Sequence, residues 1–60
     1  MNPHLVFSVG DIIVPRYMPS LHFMIKDMDS TTIYLMALSK GFADEATPRY
    51  TAPKFYVKVA

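Results

Sequence analysis

The chain has 60 residues, a formal charge of +1 and no cysteine, so it makes one domain over residues 1–60 with no disulfide to reinforce it. A domain this short buries only about 60% of the surface its unfolded chain exposes, and its core therefore depends on tight packing or self-association. Two well-separated histidines with no thiolate do not make a structural zinc site, and a charge so near neutral does not by itself draw the chain to nucleic acid, membrane or an acidic substrate. With 52% hydrophobic residues, a share of the apolar surface is expected to meet another surface. The apolar runs are too short to cross a membrane as a helix, and the opening residues Met1-Asn2-Pro3-His4 lack the basic block and apolar stretch of a signal peptide, which predicts a cytoplasmic protein.

In chain order, residues 5–9 are a short strand or an extended lead-in, and Gly10-Asp11 supply a turn, glycine for positive φ and aspartate for bonding nearby amides. Asp11 to Val14 reads as a strand, and Pro15, with no N–H to donate, belongs at an edge, a bulge or a strand end. Pro19 marks the loop that follows. Leu21 to Met28 and Ser30 to Ser39 carry period-two alternation and form a hairpin through Asp27-Met28-Asp29-Ser30. Alternation sets Leu21, Phe23 and Ile25 with Ile33, Leu35 and Ala37 on a core face, and His22, Met24 and Lys26 with Tyr34, Met36 and Leu38 on the other. Residues 42 to 53 read mostly as loop, with one helical turn over Ala43 to Ala46 stopped before Pro48 and a brief strand at Arg49-Tyr50-Thr51. Lys54 to Ala60 is the closing strand, with Phe55, Val57 and Val59 inward and Lys54, Tyr56 and Lys58 outward.

The phrase Val9-Gly10-Asp11-Ile12-Ile13-Val14, followed by a loop, a strand, an aspartate-bearing hairpin, a long apolar strand and a short last strand, resembles the small SH3-like barrels over most of the chain. The resemblance implies an all-β fold, a partly open antiparallel barrel of four to five strands. It also implies kinship of shape with the KOW modules of transcription and translation factors and with small phage-encoded proteins, which mostly bind proteins or nucleic acids. The sequence has no tryptophan, so the residue that lines the ligand groove of peptide-binding SH3 domains has no counterpart, which argues against polyproline recognition.

No catalytic constellation accompanies the fold. Asp27 and Asp29 are too few oxygen ligands for calcium and belong to turn chemistry. His4 and His22 have no adjacent carboxylate or nucleophile, and Ser8, Ser20, Ser30 and Ser39 lie outside any nucleophile elbow. The expectation is a protein without enzyme activity, cofactor, metal or small-molecule substrate. The side chains left over from the core, Tyr34, Met36, Met24 and Tyr56 with Tyr17 beside them, edged by Lys26, Lys58, Lys54 and Arg16, suit a contact surface, because tyrosine and methionine favour interfaces. The competing expectation is that the curled sheet buries them as a second part of its own core. Partner-binding residues are therefore expected at Tyr34, Met36, Tyr56, Met24, Lys26 and Lys58, in a module that contacts another protein or a second copy of itself. By analogy of fold, such a module is a small adaptor or a virus-encoded regulator occupying a host protein. The runner-up is an RNA- or DNA-binding accessory domain, with bases stacked on Tyr34 and Tyr56 between lysines, and the third reading is a homo-oligomeric structural protein.

Overall fold

The computed structural model describes residues 7–60. Strands β1 (Ile12–Pro15), β2 (Phe23–Met28), β3 (Thr32–Ala37), β4 (Glu45–Pro48) and β5 (Tyr56–Lys58) form one antiparallel sheet in the order β4-β3-β2-β1-β5. One helical turn, α1 (Ala52–Phe55), leads into β5. The fold is all-β, with β4 and β5 as the open edges of the sheet. The lead-in expected over residues 5–9 lies partly outside the described residues. Within them, Phe7 is buried and Phe7 to Val9 belong to no strand.

The β2–β3 hairpin forms where period two predicts it, in register from Phe23↔Ala37 to Met28↔Ile33. Its turn is built by Asp29, whose Oδ1 accepts from the Thr31 and Thr32 amides at 2.9 and 2.7 Å, while Asp27 Oδ1 accepts from the Met28 amide at 2.9 Å. The aspartates thus serve as turn formers, as their position implied. The register shifts between Ile25 and Asp27. Lys26 is the extra residue of a bulge, which turns Met28 to the side of Ile33 and breaks the simple alternation.

Gly10 sits at φ 97°, donates its amide to Ile25 O at 2.8 Å and precedes Asp11, whose Oδ2 accepts from the Ser8 amide at 2.8 Å. A Cβ at Gly10 would meet nothing within 4 Å, so glycine is needed there for its backbone conformation and not for space.

Ile13, Phe23, Ile25, Ile33 and Leu35 are fully buried, and Phe7, Leu21, Ala52 and Tyr56 complete one cluster with them. Of the six hairpin residues expected on the core face, Leu21, Phe23, Ile25, Ile33 and Leu35 are buried and Ala37 is half-buried against them. The C-terminal contribution is corrected: Phe55 is 52% exposed and Val59 is exposed, Val57 is half-buried, and Tyr56 is only 6% exposed. Two causes act together. Residues 52–55 are helical, so alternation cannot be counted through them. Pairing with β1 then fixes the phase, because Pro15↔Tyr56 and Val14↔Val57 are opposite each other and β1 turns Ile13 and Pro15 inward. The Tyr56 ring meets Phe23 edge to face at 6.3 Å, a favoured aromatic geometry.

Residues 42–53 also depart from expectation. Ala43 to Ala46 do not form a helical turn. Glu45–Pro48 is instead the edge strand β4, paired with β3 from Leu35↔Glu45 to Thr32↔Pro48, with Thr47 buried opposite Ile33. Arg49 to Thr51 form a turn and not a strand. Thr51 then stands at the N-cap of α1, with Pro53 in the first turn, where its missing N–H costs nothing.

The two sheet edges share no ladder, but Tyr56 of β5 donates its hydroxyl to Glu45 Oε1 of β4 at 3.5 Å. The sheet therefore curls until its edges touch through one long side-chain contact. The outer edge of β4 is short of donors. Arg49 N bonds Thr31 O, so by antiparallel alternation residues 45 and 47 face β3 while Ala46 and Pro48 face outward. Pro48 has no N–H, which blunts this edge against pairing with another strand.

Candidate interaction surface

Opposite the core face, the β-strand register lines up Ile12, Met24 and Met36 across three strands. All three are half-buried. Tyr34 lies on the same face, opposite Ala46 of β4 and Asp27 of β2, and Val57 continues it on β5 opposite Val14. Val14 is buried yet stands outside the core cluster. The face is thus apolar through its middle, which a sheet solvated on one side would not require. Leu38, just beyond β3, is exposed, and its amide is held by His22 O at 2.9 Å.

Polar contacts frame this face. The Tyr34 hydroxyl donates to Asp29 Oδ2 at 3.1 Å. The Thr31 and Thr32 amides, with this hydroxyl, hold the Asp29 carboxyl below the usual aspartate value, and the hydrogen bond to Asp29, then its charge, in turn raise the Tyr34 phenol. Lys26, aimed by its bulge, pairs with Asp44 Oδ2 at 2.9 Å. The other oxygen of Asp44 accepts from the Ala37 amide at 3.1 Å, so this carboxylate occupies the place of a backbone acceptor just beyond the end of β4. Lys26 first, then the Ala37 amide, lower its pKa.

Of the residues expected to bind a partner, Tyr34, Met36 and Met24 come together here and Lys26 stands at their margin. Tyr56 and Lys58 do not. Both belong to the other side of the sheet: Tyr56 is in the core, and Lys58 lies opposite Ile13 at the end of β5, with its amine 3.4 Å from Asp11 Oδ2. Burial first, and then the Glu45 charge, push the Tyr56 phenol up to about 12, the behaviour of a group held neutral inside the fold.

A second surface gathers Arg16 and Tyr17 of the β1–β2 connection with α1. Arg16 donates its amide to Phe55 O at 2.8 Å and its Nη2 to Pro53 O at 3.1 Å. Tyr17 is 72% exposed and close enough to Tyr56 to help raise its pKa. Phe55, assigned by alternation to the core, is an exposed member of this surface. The signal that could have found it is Thr51-Ala52-Pro53, a cap residue followed by a first-turn proline.

Among the described residues, no three His, Asp or Glu side chains are placed to hold a metal ion, and no helix is long and apolar enough to cross a membrane. His22 is exposed, with its Nδ1 3.1 Å from Ser20 O and its amide bonded to Ser39 Oγ; His4 lies outside the described residues. Comparison with protein-family models, curated proteins and solved structures finds no match to this chain.

Proposed function

We propose that the chain is a non-catalytic protein-interaction module built on a partly open SH3-like barrel. The strand order β4-β3-β2-β1-β5, with a helical turn before the last strand, is compatible with that fold. The observation that carries the function is the Ile12–Met24–Met36 row with Tyr34 beside it, an apolar strip on the sheet face away from the core. Methionine suits such a role because its unbranched side chain adapts to irregular partner surfaces. A protein partner fits better than a nucleic acid, since the strip itself carries no cation and the two lysines expected at its margin, Lys26 and Lys58, are each held by a carboxylate.

The test is capture from an extract of the native host with the wild-type chain and with the Met24→Gln, Met36→Gln double variant. Glutamine keeps the length of the side chain and removes its apolar character. Loss of a specific captured protein by a variant that still melts cooperatively supports the assignment. Undiminished capture by the variant overturns it. Retention only of nucleic acid, released by salt, would transfer the role to the nucleic-acid reading.

A further inference from the structure

We propose that the surface formed by the β1–β2 connection and α1 binds a short acidic segment of a partner protein. This is independent of the sheet-face assignment, because it uses neither Met24, Met36 nor Tyr34.

The first ground is the distribution of charge. Among the described residues, Asp11 and Asp44 are in ion pairs with Lys58 and Lys26, and Asp29 is occupied by its own turn and Tyr34. Residues 1–6 contain no aspartate or glutamate that could pair with the remaining cations. Arg16, Lys40, Arg49 and Lys54 are left without an ion pair among the described residues, and the structure puts two of them at one place: Arg16 bonds the carbonyls of Pro53 and Phe55, the residues on either side of Lys54. Two of the four unpaired cations thus share the surface around α1, which gives it local positive charge.

Geometry is the second ground. The guanidinium of Arg16 is already fixed, because Nη2 donates to Pro53 O at 3.1 Å and the backbone is tied to Phe55 O. An arginine held in this way loses little side-chain entropy when its remaining N–H groups take a carboxylate, which a guanidinium accepts in a fork that lysine lacks. Third, Tyr17 and Phe55 stand exposed beside these cations and offer apolar area for the residues between the acidic ones. Two cations and two aromatics match a short acidic and apolar motif better than a nucleic-acid strand, which needs a basic track along successive phosphates.

The probe is a short fluorescein-labelled peptide alternating glutamate with leucine, compared by fluorescence anisotropy with its glutamine-leucine counterpart and with a labelled single-stranded oligouridylate. The glutamate peptide should bind saturably, weaken as salt is raised, and bind at least about tenfold more tightly than the glutamine peptide, the effect of losing one charge-assisted hydrogen bond. Lys54→Glu should weaken it by a similar factor, and Tyr17→Ser severalfold. Both side chains are exposed, and an unchanged thermal melt shows that the fold is intact. Met24→Gln with Met36→Gln should leave this binding unchanged, which separates it from the sheet-face role. Equal affinity for the two peptides, indifference to Lys54→Glu in a folded variant, no saturation into the millimolar range, or tighter binding of oligouridylate at physiological salt each overturns the proposal.

Discussion

Substituting Phe55 and Tyr56 one at a time measures which phase β5 adopts. Tyr56 is 6% exposed with its ring against Phe23, so Tyr56→Ala removes a nearly complete aromatic burial and should cost about 4 kcal/mol. For a chain of 60 residues the total stability is about 3–9 kcal/mol, and this loss is most or all of it. Phe55 is 52% exposed and leaves no closed cavity behind, so Phe55→Ala should cost about 1 kcal/mol or less. Tyr56→Phe keeps the ring and removes only the 3.5 Å hydroxyl contact to Glu45, which should cost about 0.5–1 kcal/mol. Urea unfolding followed by far-ultraviolet circular dichroism gives the three midpoints on a common slope. Because Tyr56→Ala can unfold so small a domain outright, the two milder variants keep the comparison quantitative. A Phe55→Ala loss larger than that of Tyr56→Ala would show that β5 faces the other way and that the register with Pro15 is wrong.

Leu35→Ala, at a fully buried position in the middle of β3, should lower stability by about 2–5 kcal/mol in the same assay; an unchanged melt of the folded variant would contradict the core as described. Gly10→Val should be destabilising through the positive φ at that position, by at least about 1 kcal/mol, whereas Asp11→Asn should be mild because the amide oxygen can still accept from Ser8; equal stability of Gly10→Val and wild type would remove the turn. Asp29 and Asp44 have lowered pKa values, so the stability they contribute is complete above the ordinary aspartate value and is lost as pH falls through their folded values; Asp29→Asn should flatten that acid limb in pH-dependent melts, and an unaltered limb would refute the assignment. Tyr56 has a raised pKa, so its contribution is complete below 10 and declines as pH rises toward about 12, and Tyr56→Phe should shrink this alkaline decline, with a residual part from Tyr34.

The hairpin was legible because the determinants of Phe23 to Ala37 are local: period two selects the faces, and Asp29 closes the turn with its own amide neighbours. The positive φ of Gly10 and the acceptor role of Asp11 were legible for the same reason. Glu45–Pro48 was not, since Glu-Ala-Thr-Pro has little intrinsic strand preference and becomes a strand through pairing with the otherwise open edge of β3. The phase of β5 is hidden in the sequence by the helical turn that Thr51 and Pro53 begin, and by a register set from β1, distant in sequence. Of the candidate site, Met24, Tyr34 and Met36 were readable from alternation within the hairpin. Tyr56 and Lys58 were misplaced with the phase, and the proximity of Arg16 to Lys54 depends on a tertiary contact that no local pattern records.

The pairing pattern also has a temporal side. Strands β2, β3 and β4 pair with their immediate neighbours in the chain, whereas β1 meets β2 through two residue pairs and meets β5 across nearly the whole described length. Closing a long loop costs more entropy than closing a short one, and non-local pairing is correspondingly slow. The meander is therefore expected to assemble first, leaving β5 to dock last and to detach first. In stopped-flow kinetics, substitutions at Leu35 should slow folding, while those at Val57 and Tyr56 should mainly speed unfolding. The persistence time of the native state would then be governed by the three residues of β5, even though Phe23, Ile25, Ile33 and Leu35, all fully buried, belong to the hairpin.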